Sequence, residues 1–157
     1  MTLTHLMPSL RRTLPDPLRA DLWPEFTVAT IDDVVTAGVS AVRLADLCGT
    51  PCVHTAAAVI PGTHGRPSPS ALAAVLVTEV NTVDSTGVRV DAELSSDRLL
   101  LHEARLIGRA STARDEPVDL RWRSGSGSVT LPADIRQGDL LVIPCRGVIT
   151  LHEVTPS

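Results

Sequence analysis

The chain has 157 residues, 43% of them hydrophobic, enough for one compact domain with an ordinary core and too few for a second. A net charge of −4, with arginines scattered along the chain, removes the basic footprint of a nucleic-acid binder, and one Phe, two Trp and no Tyr remove the stacking platform. All 14 basic residues are Arg, so no lysine is present to form a Schiff base with pyridoxal phosphate.

Residues 1–25 are rich in Pro and Arg and carry no sustained period; they are expected to be irregular and draped over the surface. They lack the apolar h-region of a secretory signal, and no apolar run reaches the ~18 residues a membrane span needs, so a cytoplasmic protein that binds no membrane is the expectation. FTVATIDDVVTAG (26–38) predicts a β-hairpin with an Asp-Asp turn. In SAVRLADLC, Ser40 can N-cap a short helix that ends at Gly49. CVHTAAAVI predicts a strand, and PGTHGRPSPS (61–70) concentrates Pro, Gly and Ser and predicts a loop. In GVRVDAEL, Val88, Val90, Ala92 and Leu94 alternate with Arg89, Asp91 and Glu93, the pattern of a half-buried strand. ALAAVLVTEV, RLLLHEARLI, PVDLRWR, DLLVIPC and GVITLHEV continue at the spacing of an all-β barrel or sandwich, with GSGS (125–128) as a turn.

Three stretches carry a family resemblance. AGVSAVRLADLCGTPCVHT resembles the opening of the diaminopimelate decarboxylase family, group IV pyridoxal-phosphate decarboxylases in which Gly-Val-Ser, a short Leu-Ala helix and Gly-Thr-Pro lead into a large (β/α)8 barrel. VTLPADIRQGDLLVIPCRGVITLHEV resembles the same family's far end, and GRPSPSALAAVLVTEVNTVDSTG the point where its chain re-enters the β-domain. The resemblance implies a small Greek-key β-barrel with one short helix over residues 26–157, the cofactor barrel having been cut out between about Val53 and Gly65. Residues 61–70 would then be the loop that replaces it. In that family the β-domain is built from both chain ends, so removing the insertion leaves a host that a loop can close at little entropic cost.

The family's chemistry does not accompany the resemblance. Its lysine has no counterpart, and its Cys-Glu-Ser-Gly-Asp motif reads Trp122, Arg123, Ser124, Gly125 and Ser126. Its Gly-Ala-Tyr reads Gly147, Val148 and Ile149, and only Gly65-Arg66 remains of its phosphate-binding turn. Pyridoxal-phosphate decarboxylation is therefore excluded, and no cofactor is expected.

Cys48, Cys52 and His54 invite a zinc reading, but the set needs a fourth ligand and has an unusual spacing; inert buried thiols and no metal are expected. Three cysteines also cannot all pair within one chain. His102-Glu103 and His152-Glu153 each fall in a predicted strand, which puts each His and its neighbouring Glu on opposite faces. His102 would share a face with Leu100, Ala104 and Leu106, as either a satisfied core residue or the polar group of an interior pocket. Trp122 would be core or the floor of such a pocket, with Arg121 and Arg123 on the opposite face. Three functions fit these residues. The first is cofactor-independent cyclisation, isomerisation or dehydration of a small biosynthetic intermediate in the barrel interior, with His102, His152 and Glu103 as acid/base groups and Trp122, Arg123 and Arg66 shaping and anchoring the substrate. The second is a carrier with the same pocket and no turnover. The third is a pseudoenzyme that docks on another protein or on itself; the face left bare by the missing barrel leads to the expectation of a homodimer.

Overall fold

The computed structural model describes residues 2–157. The fold is mostly β, built on a seven-stranded sheet that curls into a half-barrel. A small antiparallel sheet comes first: β1 (Thr27–Ala29), β2 (Val34–Thr36) and β3 (Val39–Ser40). The predicted hairpin is therefore present, and Thr30 N donates to the Asp33 carbonyl across its turn at 2.9 Å.

Of three α-helical segments, α1 (Leu3–Leu6), α2 (Ala41–Cys48) and α3 (Leu151–Val154), only α2 exceeds a single turn. Its first turn is closed as the sequence predicts. Ser40 Oγ accepts from Arg43 N at 3.1 Å, and Asp33 Oδ1 accepts from Val34 N at 2.7 Å and Val42 N at 3.1 Å. The bonds from Val42 N and Arg43 N occupy donors that a helix start otherwise leaves bare. Gly49, at φ 74°, ends the helix.

The large sheet comprises β4 (Cys52–Val59), β5 (Pro67–Asp84), β6 (Gly87–Val90), β7 (Arg105–Ile107), β8 (Asp115–Arg121), β9 (Ser126–Pro132) and β10 (Leu140–Cys145). Its order is β7-β10-β5-β6-β8-β9, with β4 paired to the first part of β5. All pairings are antiparallel except β6 with β8. Gly87 is obligatory in that register: its φ is +135°, and a Cβ there would lie 2.2 Å from the Asp119 carbonyl oxygen of β8.

Residues 73 to 78 are buried without interruption because both faces of β5 are covered. One face sends Ala74, Leu76 and Val80 into the curl of the sheet, with Leu120, Trp122, Leu131, Leu141 and Ile143, and α3 adds Val154. The other sends Val75 and Val77 outward, where Val142, Trp23, Val34, Ala41 and Ala45 cover them. Each fully buried Leu, Ile or Val stabilises by about 1.5–3 kcal/mol, so the two clusters supply the main driving force for the fold.

Four local expectations are corrected. The 61–70 loop is shorter, because β5 already begins at Pro67, and GSGS is not wholly a turn, because β9 begins at Ser126. His102-Glu103 lies in a 3-10 turn, Leu101–Glu103, rather than a strand, and His152-Glu153 lies in α3. There Thr150 and Glu153 form a reciprocal capping box, which overrides the short β pattern. Of the predicted irregular stretch, residues 2–25 are largely irregular, with α1 and two 3-10 turns, Pro8–Arg12 and Ala20–Leu22. They are not loosely draped, however: Arg11 and Trp23 are both buried. Among the described residues, no helix is long and apolar enough to cross a membrane.

Candidate functional site

The curl of the sheet is filled with side chains, and a cavity lies outside it. That cavity, about 530 Å3 and partly open to solvent, lies between the N-terminal arm (residues 2–19), the segment around β7 and the end of β9. β7 and β9 are the two ends of the sheet order, and the arm lies across the gap between them.

Ion pairs hold the arm down. Arg11 is only 5% exposed; its Nη2 donates to Asp115 Oδ2 at 2.6 Å, its Nη1 to the Ala113 carbonyl at 2.8 Å, and its Nε lies 3.2 Å from Asp16 Oδ2. Arg105 on β7 donates from Nη2 to the Asp16 carbonyl. Arg109 is fixed from below: its Nε and Nη2 donate to Asp139 at 2.8 and 2.7 Å, and its Nη1 lies 3.3 Å from Asp134 Oδ2. The hydrogen bonds with Asp139 raise the Arg109 pKa above its ordinary value despite its burial. Burial opposes ionisation of Asp134, yet bonds from Ser111 and Arg109 hold its pKa below the usual carboxylate value.

Two imidazole–carboxylate pairs line the same cavity. His102 Nε2 stands 3.9 Å from Glu103 Oε1. The His102 side chain is 60% exposed and that of Glu103 only 14%. Glu103 is also approached by Trp23 Nε1 at 3.5 Å and, from the arm, by Arg19 Nε at 3.9 Å. The second pair is His5 with Asp115, Nε2 to Oδ2 at 3.6 Å.

Of the residues singled out from sequence, the cavity therefore brings together His102 and Glu103 and leaves out four. His152 is exposed on α3, and Arg66 is exposed at the tip of the β4–β5 hairpin. Arg123 is exposed in the turn between β8 and β9. Trp122 is 8% exposed and packed in the interior cluster, where its Nε1 has no hydrogen-bond partner among the described residues. Sequence reasoning missed Arg11, Asp16, Arg105, Asp115 and His5. Only Arg105 left a trace there, as a charge beside Leu106 and Ile107 in a strand too short to show alternation.

The thiols divide. Cys52 and Cys145 are buried, and burial pushes their pKa values up to about 11 and about 12, which makes both poor nucleophiles at neutral pH. Cys48 is exposed, contrary to expectation. His54 Nε2 is 3.2 Å from the Thr36 carbonyl oxygen, so a structural bond accounts for that ring nitrogen.

Comparison with protein-family models gives no match, and comparison with curated proteins gives none.

Proposed function

We propose that this chain is a cofactor-independent enzyme acting by acid–base chemistry on a small molecule, with its site in the arm-covered cavity rather than in the curl of the sheet. The observation that carries the reading is the presence of two imidazole–carboxylate pairs, His102 with Glu103 and His5 with Asp115, on the wall of one cavity. Isomerisation, dehydration and cyclisation each require one group to take a proton and another to return it. Histidine is the side chain whose ordinary titration lies nearest neutral pH, which suits it to both tasks. The volume suits a small metabolite. The decarboxylase-like ancestry, with its Greek-key barrel, belongs to the same reading: a β-domain that has lost its cofactor barrel and its lysine retains a scaffold on which another site can be built.

A homodimer is the second part of the proposal. Phe26, Val28 and Leu72 are exposed, and they cluster around the β4–β5 hairpin, since Glu25 N donates to the Ala57 carbonyl and Ala57 pairs with Leu72. A second copy would cover this apolar surface.

One experiment addresses both parts. The purified chain is incubated with a small-molecule extract of its source cells, consumption is followed by mass spectrometry, and native spectra of the same sample give the assembly mass. The expected outcome is a dimer that consumes at least one compound, with the rate falling about 100-fold or more in Glu103→Gln and His102→Ala. An extract left unchanged overturns catalysis, and a compound retained intact transfers the site to a carrier. A monomeric mass removes the dimer.

A further inference from the structure

The arginines of the cavity are not equivalent. Arg11 is paired with Asp16 and Asp115, Arg109 with Asp134 and Asp139, and Arg19 reaches Glu103. Arg105 is the exception: among the described residues no carboxylate lies within ion-pair distance, and its guanidinium makes one hydrogen bond, to the Asp16 backbone carbonyl. A guanidinium has five N–H donors in a rigid fork, so most of its capacity is unused at the wall of a cavity. Arg105 is half-buried, and withdrawing a cation from water without a counter-charge is costly. Desolvation, with Arg11 nearby, accordingly pushes the Arg105 pKa below its ordinary value, opposed by Asp16 and, more weakly, by Glu103 and Asp115.

The geometry points to Arg105 as the anchor for the carboxylate of a small monoanionic ligand seated beneath the N-terminal arm. The inference rests on the reading of this cavity as a small-molecule site and specifies what enters it. A carboxylate matches the guanidinium fork through two parallel N–H···O bonds. The single charge follows from the lining, where Arg11, Arg19, Arg105 and Arg109 face Asp16, Glu103 and Asp115, an excess of one positive charge that a monoanion neutralises and a phosphate dianion oversteps. Held there, the ligand would lie between His102 with Glu103 on one wall and His5 with Asp115 on another.

The test is a titration of the 15N-labelled chain with sodium acetate and sodium benzoate, and separately with sodium phosphate, at constant ionic strength set by sodium chloride. The Arg105 Nε–H signal, identified by its loss in Arg105→Lys, is expected to shift saturably with a carboxylate and not with phosphate. The amides of Leu106 and Leu131 should move with it, and in Arg105→Gln their response should weaken at least tenfold. An Arg105 signal indifferent to both carboxylates, one that responds to phosphate instead, or amide shifts unchanged in Arg105→Gln would each overturn the inference. If Arg105→Gln fails to fold, the wild-type titration still decides. Saturable carboxylate binding without turnover of any extract compound would remove the catalytic reading and leave this one standing. Turnover of a compound lacking a carboxylate, with Arg105 silent, would do the reverse.

Discussion

The curl of the sheet and the arm-covered cavity share Ala104, Leu106 and Leu131 and are built on opposite principles. Inside the curl, Leu76, Leu120, Leu131, Leu141 and Ile143 fill the space with side chains that need no partners. Beneath the arm, Arg11 pairs with Asp16 and Asp115 beside a space left open. An apolar interior gains from being filled, because dispersion contacts and burial both favour close packing. Charged groups must keep their hydrogen bonds, and their fixed directions hold walls apart. Open volume therefore persists in the ionic region.

The comparison can be broken from its packed side first. Leu76→Ala deletes a fully buried side chain from a strand covered on both faces and should cost about 2–5 kcal/mol in urea unfolding. A loss well below that range would mean that the interior collapses easily and is not the rigid partner assumed here.

Arg11→Met tests the ionic side. It leaves Asp16 without its ion-pair partner and Asp115 with only His5, but both acids keep some contact with solvent, with side chains 28% and 22% exposed. The expected loss is about 2 kcal/mol, less than the 3–5 kcal/mol of breaking a fully buried pair. It should be accompanied by faster proteolysis within residues 2–19. Unchanged stability with an intact arm would show that the apolar contacts of the arm, and not its charges, hold it.

The smallest effect is expected at Trp122→Phe. Indole area is lost, but so is the one buried side-chain donor with no partner among the described residues, and the two effects oppose each other. The net change should stay within about 1 kcal/mol in the same unfolding assay. A loss of several kcal/mol would reveal a partner for Nε1 and a polar site inside the curl after all.

What could be read from sequence follows the range of the interactions. Ser40 as N-cap, Gly49 as stop and the 26–38 hairpin depend on neighbours within a few residues, and the alternation of Val88 and Val90 depends on one sheet face; Ala92 and Leu94 are buried as the pattern predicts but lie beyond the end of β6. All of these were legible. The 3-10 turn at His102 was not, because Leu99, Leu100 and Leu101 form an apolar run that suits strand and turn alike. α3 carried its own sign, a Thr two residues before His152 and a Glu one after it, but the strand pattern of GVITLHEV obscured it. The cavity could not be read at all: Arg11 meets Asp115 across 104 positions, and nothing local in either segment announces the other.

That long reach has a thermodynamic consequence. The walls come from the arm, Ile31, the stretch from His102 to Ser111, Asp115 and the end of β9, so the unfolded chain holds no fragment of the site to which a ligand could bind. Mass action then makes every occupied molecule a more stable one: a ligand at 100 times its Kd raises the unfolding free energy by about 2.7 kcal/mol. For this chain, the melting temperature is itself a gauge of occupancy.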